Sequence, residues 1–138
     1  MRLEAVYRLT FRYPEAWRAG DESLLLAEGR AEGRIAGRFR AANRARRLPG
    51  GDFVPSVAGA IETDDGASVL LDLAGNGRPD EGRVVGAALH FADDPRYAWI
   101  DRVVCAVAGE VRGGREIVLD LARIVWEPLA EYDSPRER

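Results

Sequence analysis

His90 is the only histidine in the chain, and the only side chain whose ordinary pKa lies near neutrality. Proton transfer at neutral pH therefore points to it first, as general acid or base. It lies in a run from Arg83 to Phe91 that alternates as a strand does, sharing a face with Val84, Gly86 and Ala88. Small residues there leave room inside a barrel for a ligand, with His90 near one mouth. The other reading is that they let the barrel curve while His90 bonds at a rim. Glu62 and Asp72 are the carboxylates placed to orient the imidazole, on two strands joined at Thr63-Asp64-Asp65-Gly66-Ala67. A two-residue Asp65-Gly66 turn pairs Asp64 with Ala67 and sends the two carboxylates to opposite faces. A three-residue turn with Gly66 left-handed pairs Thr63 with Ala67 and gathers Glu62, Ser68, Leu70 and Asp72 on one face. On an interior face they would raise each other's pKa or hold His90; on an outer face they are solvated.

The most charged stretch runs from Arg38 to Arg47. Most of its arginines read as a solvated loop. Arg38 and Asn43 are the members expected to reach inward and hold developing oxyanion charge. Tyr97 and Trp99, with Tyr7, Trp17, Phe39 and Trp126, are aromatic enough to wall an apolar pocket or to fill a small core. Tyr97 and Trp99 are taken as substrate-binding residues.

Composition removes several chemistries. All basic residues are arginine, so no lysine offers a Schiff base. One cysteine, Cys105, and one histidine exclude an internal disulfide and a zinc site of several His and Cys ligands. Gly75-Asn76-Gly77 reads as a turn, with no phosphate loop after it. No cofactor and no metal are expected. Twenty basic against 23 acidic residues, a net charge of -3, fit neither a nucleic-acid nor a membrane-surface partner. The first residues carry no apolar signal core, and the apolar run Val103 to Ala108 is too short to span a bilayer. The expectation is a cytoplasmic protein.

Positioning these residues falls to strands. Leu3, Ala5, Tyr7, Leu9 and Phe11 take one side of the first segment, with Arg2, Glu4, Arg8, Thr10 and Arg12 on the other. Tyr13-Pro14 is expected to end it. Further strands are expected at Ser23 to Glu28, Arg34 to Ala41, Val54 to Thr63, Ala67 to Gly75, Arg83 to Phe91, Asp101 to Val111 and Glu116 to Trp126. Gly113-Gly114 marks a two-residue hairpin. Asp94 is positioned to cap one helical turn that begins at Pro95. The expected fold is all-β: one antiparallel barrel of about eight strands over residues 1–127, then a polar tail over 128–138. The last two strands are apolar on both faces, which calls for a cover, either a chain terminus folded over them or, as is favoured here, another subunit in a homodimer or higher homo-oligomer.

The Thr63-Asp64-Asp65-Gly66 turn and the segment from Asp94 through Pro95, Arg96, Tyr97, Ala98, Trp99 and Ile100 to Asp101 resemble two signatures of the bacterial domain-of-unknown-function family 3237. Order and spacing agree from about Leu3 to Trp126. The resemblance implies a small oligomeric β-barrel with no established general activity. In outline that fold is similar to allene-oxide-cyclase-like and dirigent-like barrels, which hold apolar ligands and guide ring closures. The chain departs from the family at Ile100 and Asp101, where leucine and asparagine are usual, and at His90, where many relatives carry an aromatic residue or arginine.

The functional expectation is a small cofactor-free barrel enzyme, an isomerase, cyclase or lyase acting on an apolar oxygenated metabolite. His90 would move the proton, Glu62 or Asp72 would orient it, and Arg38 or Asn43 would stabilise the oxyanion. The alternative is a non-catalytic barrel that holds a hydrophobic small molecule.

Overall fold

Alternation of apolar and polar residues carries nearly the whole chain into strands. The structure, a computed structural model, describes residues 1–131. Its strands are β1 (Arg2–Ala19), β2 (Glu22–Gly33), β3 (Gly37–Asn43), β4 (Arg46–Arg47), β5 (Phe53–Val54), β6 (Ser56–Thr63), β7 (Ser68–Arg78), β8 (Arg83–Ala92), β9 (Val104–Arg112) and β10 (Glu116–Val125). Eight of them, all but the two-residue β4 and β5, form a closed antiparallel barrel. Each pairs with the next in the chain, and β10 returns to β1 from Leu3 opposite Ile124 to Phe11 opposite Ile117. Closure removes the sheet edge that an open array would expose. The expected all-β, single-core architecture is what the chain adopts.

Every odd connection in this up-and-down order lies at one end of the barrel, and every even one at the other. One end carries the β2–β3 connection, the β6–β7 turn and the long β8–β9 connection. Ile35 and Ile100, both fully buried, plug it together with Tyr97. The other end carries the β1–β2, β7–β8 and β9–β10 turns, with β4 and β5 lying to one side. Between the two ends the core is a sleeve of Leu9, Phe39, Ile61, Val69, Leu71 and Leu121.

Two bulges in β1 correct the reading of the first segment. An extra residue at Val6 breaks the register against β10, so Val6 and Tyr7 are both buried and Leu3, 57% exposed, turns outward. A second bulge between Arg12 and Glu15 absorbs Tyr13-Pro14, and the strand runs on to Ala19 instead of ending there. Gly75-Asn76-Gly77 is not a turn either. β7 continues through it to Arg78, and Gly75 faces Gly86 across the β7–β8 pair. A methyl group at Gly75 would stand 2.1 Å from the Val85 carbonyl oxygen, so glycine is required by close backbone approach. The reversal falls later, at Pro79 to Gly82, with Gly82 left-handed at φ 64°. The glycine hairpin is one residue longer than expected, because Arg112 pairs with Glu116. The short helical turn forms as a 3-10 turn, Pro95–Tyr97, with the Asp94 side chain accepting from the Arg96 amide. Of the expected tail, residues 132–138 lie outside the described residues. Among the described residues no helix is long and apolar enough to cross a membrane.

Candidate functional site

Inward-facing positions on β8 are Val84, Gly86, Ala88 and His90, and the last of these lies near the plugged end, fully buried. Its Nδ1 lies 3.0 Å from the carbonyl oxygen of Val103. A carbonyl only accepts, so Nδ1 carries the proton and Nε2 is left as an acceptor. The Tyr7 hydroxyl, 2.7 Å from Nε2, fills it. The ring is thus neutral with both nitrogens bonded. Burial holds its pKa below the ordinary value, against a smaller opposing effect of the Val103 carbonyl. Burial likewise raises the Tyr7 phenol well above its ordinary range and pushes the neighbouring Cys105 thiol up to about 11. Tyr7, His90 and Cys105 are all buried.

The carboxylates expected beside His90 are elsewhere. The β6–β7 turn is the three-residue form: Thr63 pairs through its amide with the Ala67 carbonyl, and Gly66 is left-handed at φ 91°. Glu62, Ser68, Leu70 and Asp72 do share a face, and that face is the outer one. Ile61, Val69 and Leu71 have taken the interior, because the core claims the apolar half of each alternation. The structure therefore does not bring Glu62 or Asp72 to His90. Arg38 also points outward, bonded to Glu28 at 3.0 Å.

Tyr97 and Trp99 stand at the plugged end. The Tyr97 hydroxyl donates to both carboxylate oxygens of Asp65, at 2.8 and 2.9 Å, and Arg96 donates to the Asp65 carbonyl at 2.8 Å. The two stretches Thr63–Gly66 and Asp94–Asp101 are thereby fastened to one another. Trp99 is half-buried beneath the Arg34 guanidinium, 4.0 Å above its ring.

Space is found at the opposite, open end, in a cavity of about 450 Å³. That is within the usual size for a small-molecule site, roughly 300–1,000 Å³. Its floor and walls are apolar: Leu9, Phe11, Phe39, Leu73, Ile117 and Leu119. His90 does not line it, and of the expected site residues Asn43 alone does. Asn43 sits at the end of β3, 4% exposed, and its orientation is fixed by its neighbours. The Ser56 amide donates to its Oδ1 at 3.0 Å, which turns Nδ2 toward the Tyr13 hydroxyl, also 3.0 Å away. Tyr13 therefore accepts one bond, and among the described residues no acceptor is in reach of its own proton. Burial raises its pKa, against the smaller opposing pull of Asn43. It remains a protonated donor aimed at the cavity.

In the sequence Tyr13 reads only as the end of a strand. The signal was present, since Tyr7, Leu9, Phe11 and Tyr13 keep one alternation; the bulge that carries it past Pro14 was not visible. The charged lining residues are Arg18, Arg78 and Arg83, and no aspartate, glutamate or histidine lines the cavity. Among the described residues no three His, Cys, Asp or Glu side chains cluster as metal ligands would.

No protein-family model and no curated protein matches the chain. Solved structures match it over most of its length. A β-barrel-like protein from Acinetobacter baumannii superposes with a TM-score of 0.76 at 18% identity, covering 88% of this chain and 94% of that one. A conserved protein of unknown function from Rhodopseudomonas palustris gives 0.75 at 20% identity, covering 90% and 97%. An enzyme from Penicillium herquei gives 0.63 at 17% identity, covering 87% and 93%. At these identities the likeness is one of fold: the chain shares a closed β-barrel with all three.

Proposed function

We propose that the open-end cavity takes an apolar, oxygen-bearing small molecule and that Tyr13 donates its phenolic proton to that oxygen. The observation that carries this is the Asn43–Tyr13 pair. Asn43 is held by the Ser56 amide and spends an amide hydrogen on Tyr13, which leaves the phenol with one uncommitted donor over an apolar floor. A carbonyl accepting that bond is polarised, and an enolate formed by loss of its α-proton is stabilised, which eases isomerisation, ring closure or elimination beside it. That is the polarising half of a cofactor-free isomerase, cyclase or lyase. The Penicillium herquei enzyme lends support, as a protein of this frame that is an enzyme. Binding without turnover is the second reading, favoured by the lack of a carboxylate or imidazole among the lining residues. Kinship with the family 3237 barrels belongs to the same proposal, supported by the hydrogen bonds that join the two signature segments.

The test compares acetylnaphthalene with isopropenylnaphthalene, its shape-mate without the oxygen, by calorimetry. Tyr13→Phe should weaken the ketone about threefold to tenfold, the worth of one net hydrogen bond, and leave the alkene unchanged. Equal losses for both, or none for either, would overturn the assignment of Tyr13.

A further inference from the structure

Resting on that reading of the cavity, we infer that its ligand ends in a carboxylate, held at the open mouth by Arg18, Arg78 and Arg83. These are the charged side chains of the lining, in a chain whose net charge is negative. They are also poorly satisfied. Arg78 approaches Asp52 at 3.9 Å and Glu81 at 3.8 Å, and Arg83 approaches Glu81 at 3.8 Å, all beyond hydrogen-bond reach. Arg18 has no ion pair among the described residues. On the outer wall, by contrast, Arg8 meets Asp120 and Arg30 meets Asp64 at 2.6 Å, and Arg46 meets Glu22 at 3.0 Å.

Arg78 and Arg83 are direct partners across the β7–β8 pair, where like charges repel. Arg18 lies opposite Ser23 on the neighbouring β1–β2 pair. Asp52 and Glu81 stand near these guanidinium groups without bonding them, and Glu110 lies opposite Arg83 across the β8–β9 pair. The guanidinium fork matches a carboxylate's two oxygens. The apolar body would fill the sleeve past Tyr13 while the acid stays at the rim, an orientation that sets which end of the molecule meets the phenol.

Three probes separate this inference from the reading beneath it: naphthoylpropionic acid, its methyl ester, and acetylnaphthalene. At low salt the acid should bind about fivefold tighter than the ester, as exposed guanidinium–carboxylate pairs allow, and the gap should close in high salt. Arg18→Gln should weaken the acid more than the ester and so erase most of the acid's advantage. Glu81→Gln, which frees Arg78 and Arg83, should enlarge it. Equal binding of acid and ester by the unaltered protein, with acetylnaphthalene still bound, overturns the carboxylate and leaves the cavity reading intact. Failure of all three probes to bind overturns both.

Discussion

Tyr7 donates to His90 Nε2 across the plugged end of the barrel, at 2.7 Å and with the rings edge to face at 78°. The bond joins β1 to β8, strands that are not neighbours in the barrel, so it ties the interior directly across. With Nδ1 bound to the Val103 carbonyl, it also fastens the β8–β9 connection over the barrel end. The one histidine is thus spent on architecture.

A neutral buried imidazole makes stability depend on pH in a definable window. Its pKa in the folded state is below the ordinary 6.5. As pH falls through about 6.5 the unfolded chain takes up a proton that the folded chain refuses, and stability declines until the lower folded pKa is passed. Above that window the group contributes no pH dependence. Thermal melting between pH 7.5 and 5 should therefore fall in the parent, at pH values above those where Asp65 and Asp94, whose pKa values are depressed, begin to protonate. His90→Asn should flatten the curve and lose about 1–3 kcal/mol at pH 7.5, the cost of buried partners left unpaired. Its ligand binding should match the parent, because His90 lies outside the cavity. A folded His90→Asn protein that has lost binding would return the imidazole to the site.

The fastening of the two turn segments is testable as a pair. Tyr97→Phe removes both bonds to Asp65 and should cost about 1–2 kcal/mol in chemical denaturation. Asp65→Asn weakens the same bonds and also the Thr63 hydroxyl's donation to Asp65. Since the two variants share an interaction, the double variant should lose less than the sum by at least about 0.5 kcal/mol. Strict additivity would show that the contact contributes nothing to folding.

The fold was legible and most of the site was not, for physical reasons that differ from residue to residue. Period-two alternation states that a strand has two faces and which residues share each, and closure follows when every strand needs a partner. Alternation does not say which end of the barrel a connection plugs. His90 and Gly86 share a face with the cavity-lining Val84, yet the cavity lies toward Val84 and Arg83, while His90 lies at the other end of β8, bonded to Tyr7 and Val103. Nor does alternation survive a bulge. The one at Arg12–Glu15 carries Tyr13 and Arg18 inward, and Pro14 hid it. Glu62 and Asp72 were lost differently: the three-residue turn was one of two weighed, but the side taken by the core decides which face is wet. Asn43 was picked for its chemistry in a basic loop, and reached the cavity because β3 runs two residues further than expected.

The outer face of the barrel carries the last expectation, assembly. Register places Ala74 beside Ala87, Ala87 beside Ala106, Ala106 beside Ala122, and Ala122 beside Ala5, an alanine row across five strands. Above it lie Leu89, Val104, Ile124 and Leu3, then Leu70 and Phe91; below it, Val85 and Ala108. With strands about 4.8 Å apart and like-facing residues about 6.8 Å apart, these thirteen positions cover on the order of 400 Å² of sheet. An apolar patch of that size is as large as the largest on a typical monomer, and such patches are often functional. No charged residue interrupts the row, and alanine lets two sheets approach closely. The face wraps convexly around the barrel wall with Asp72 beside Leu89 at its margin, and the proposed occupant of the part that one neighbour can reach is a second copy of this chain. Light scattering at micromolar concentration should give twice the chain mass or a higher multiple. Ala106→Glu puts a charge at the centre of the row, on a half-exposed outward position that does not disturb the core, and should yield a folded monomer. A parent protein that is already monomeric at that concentration would defeat the proposal.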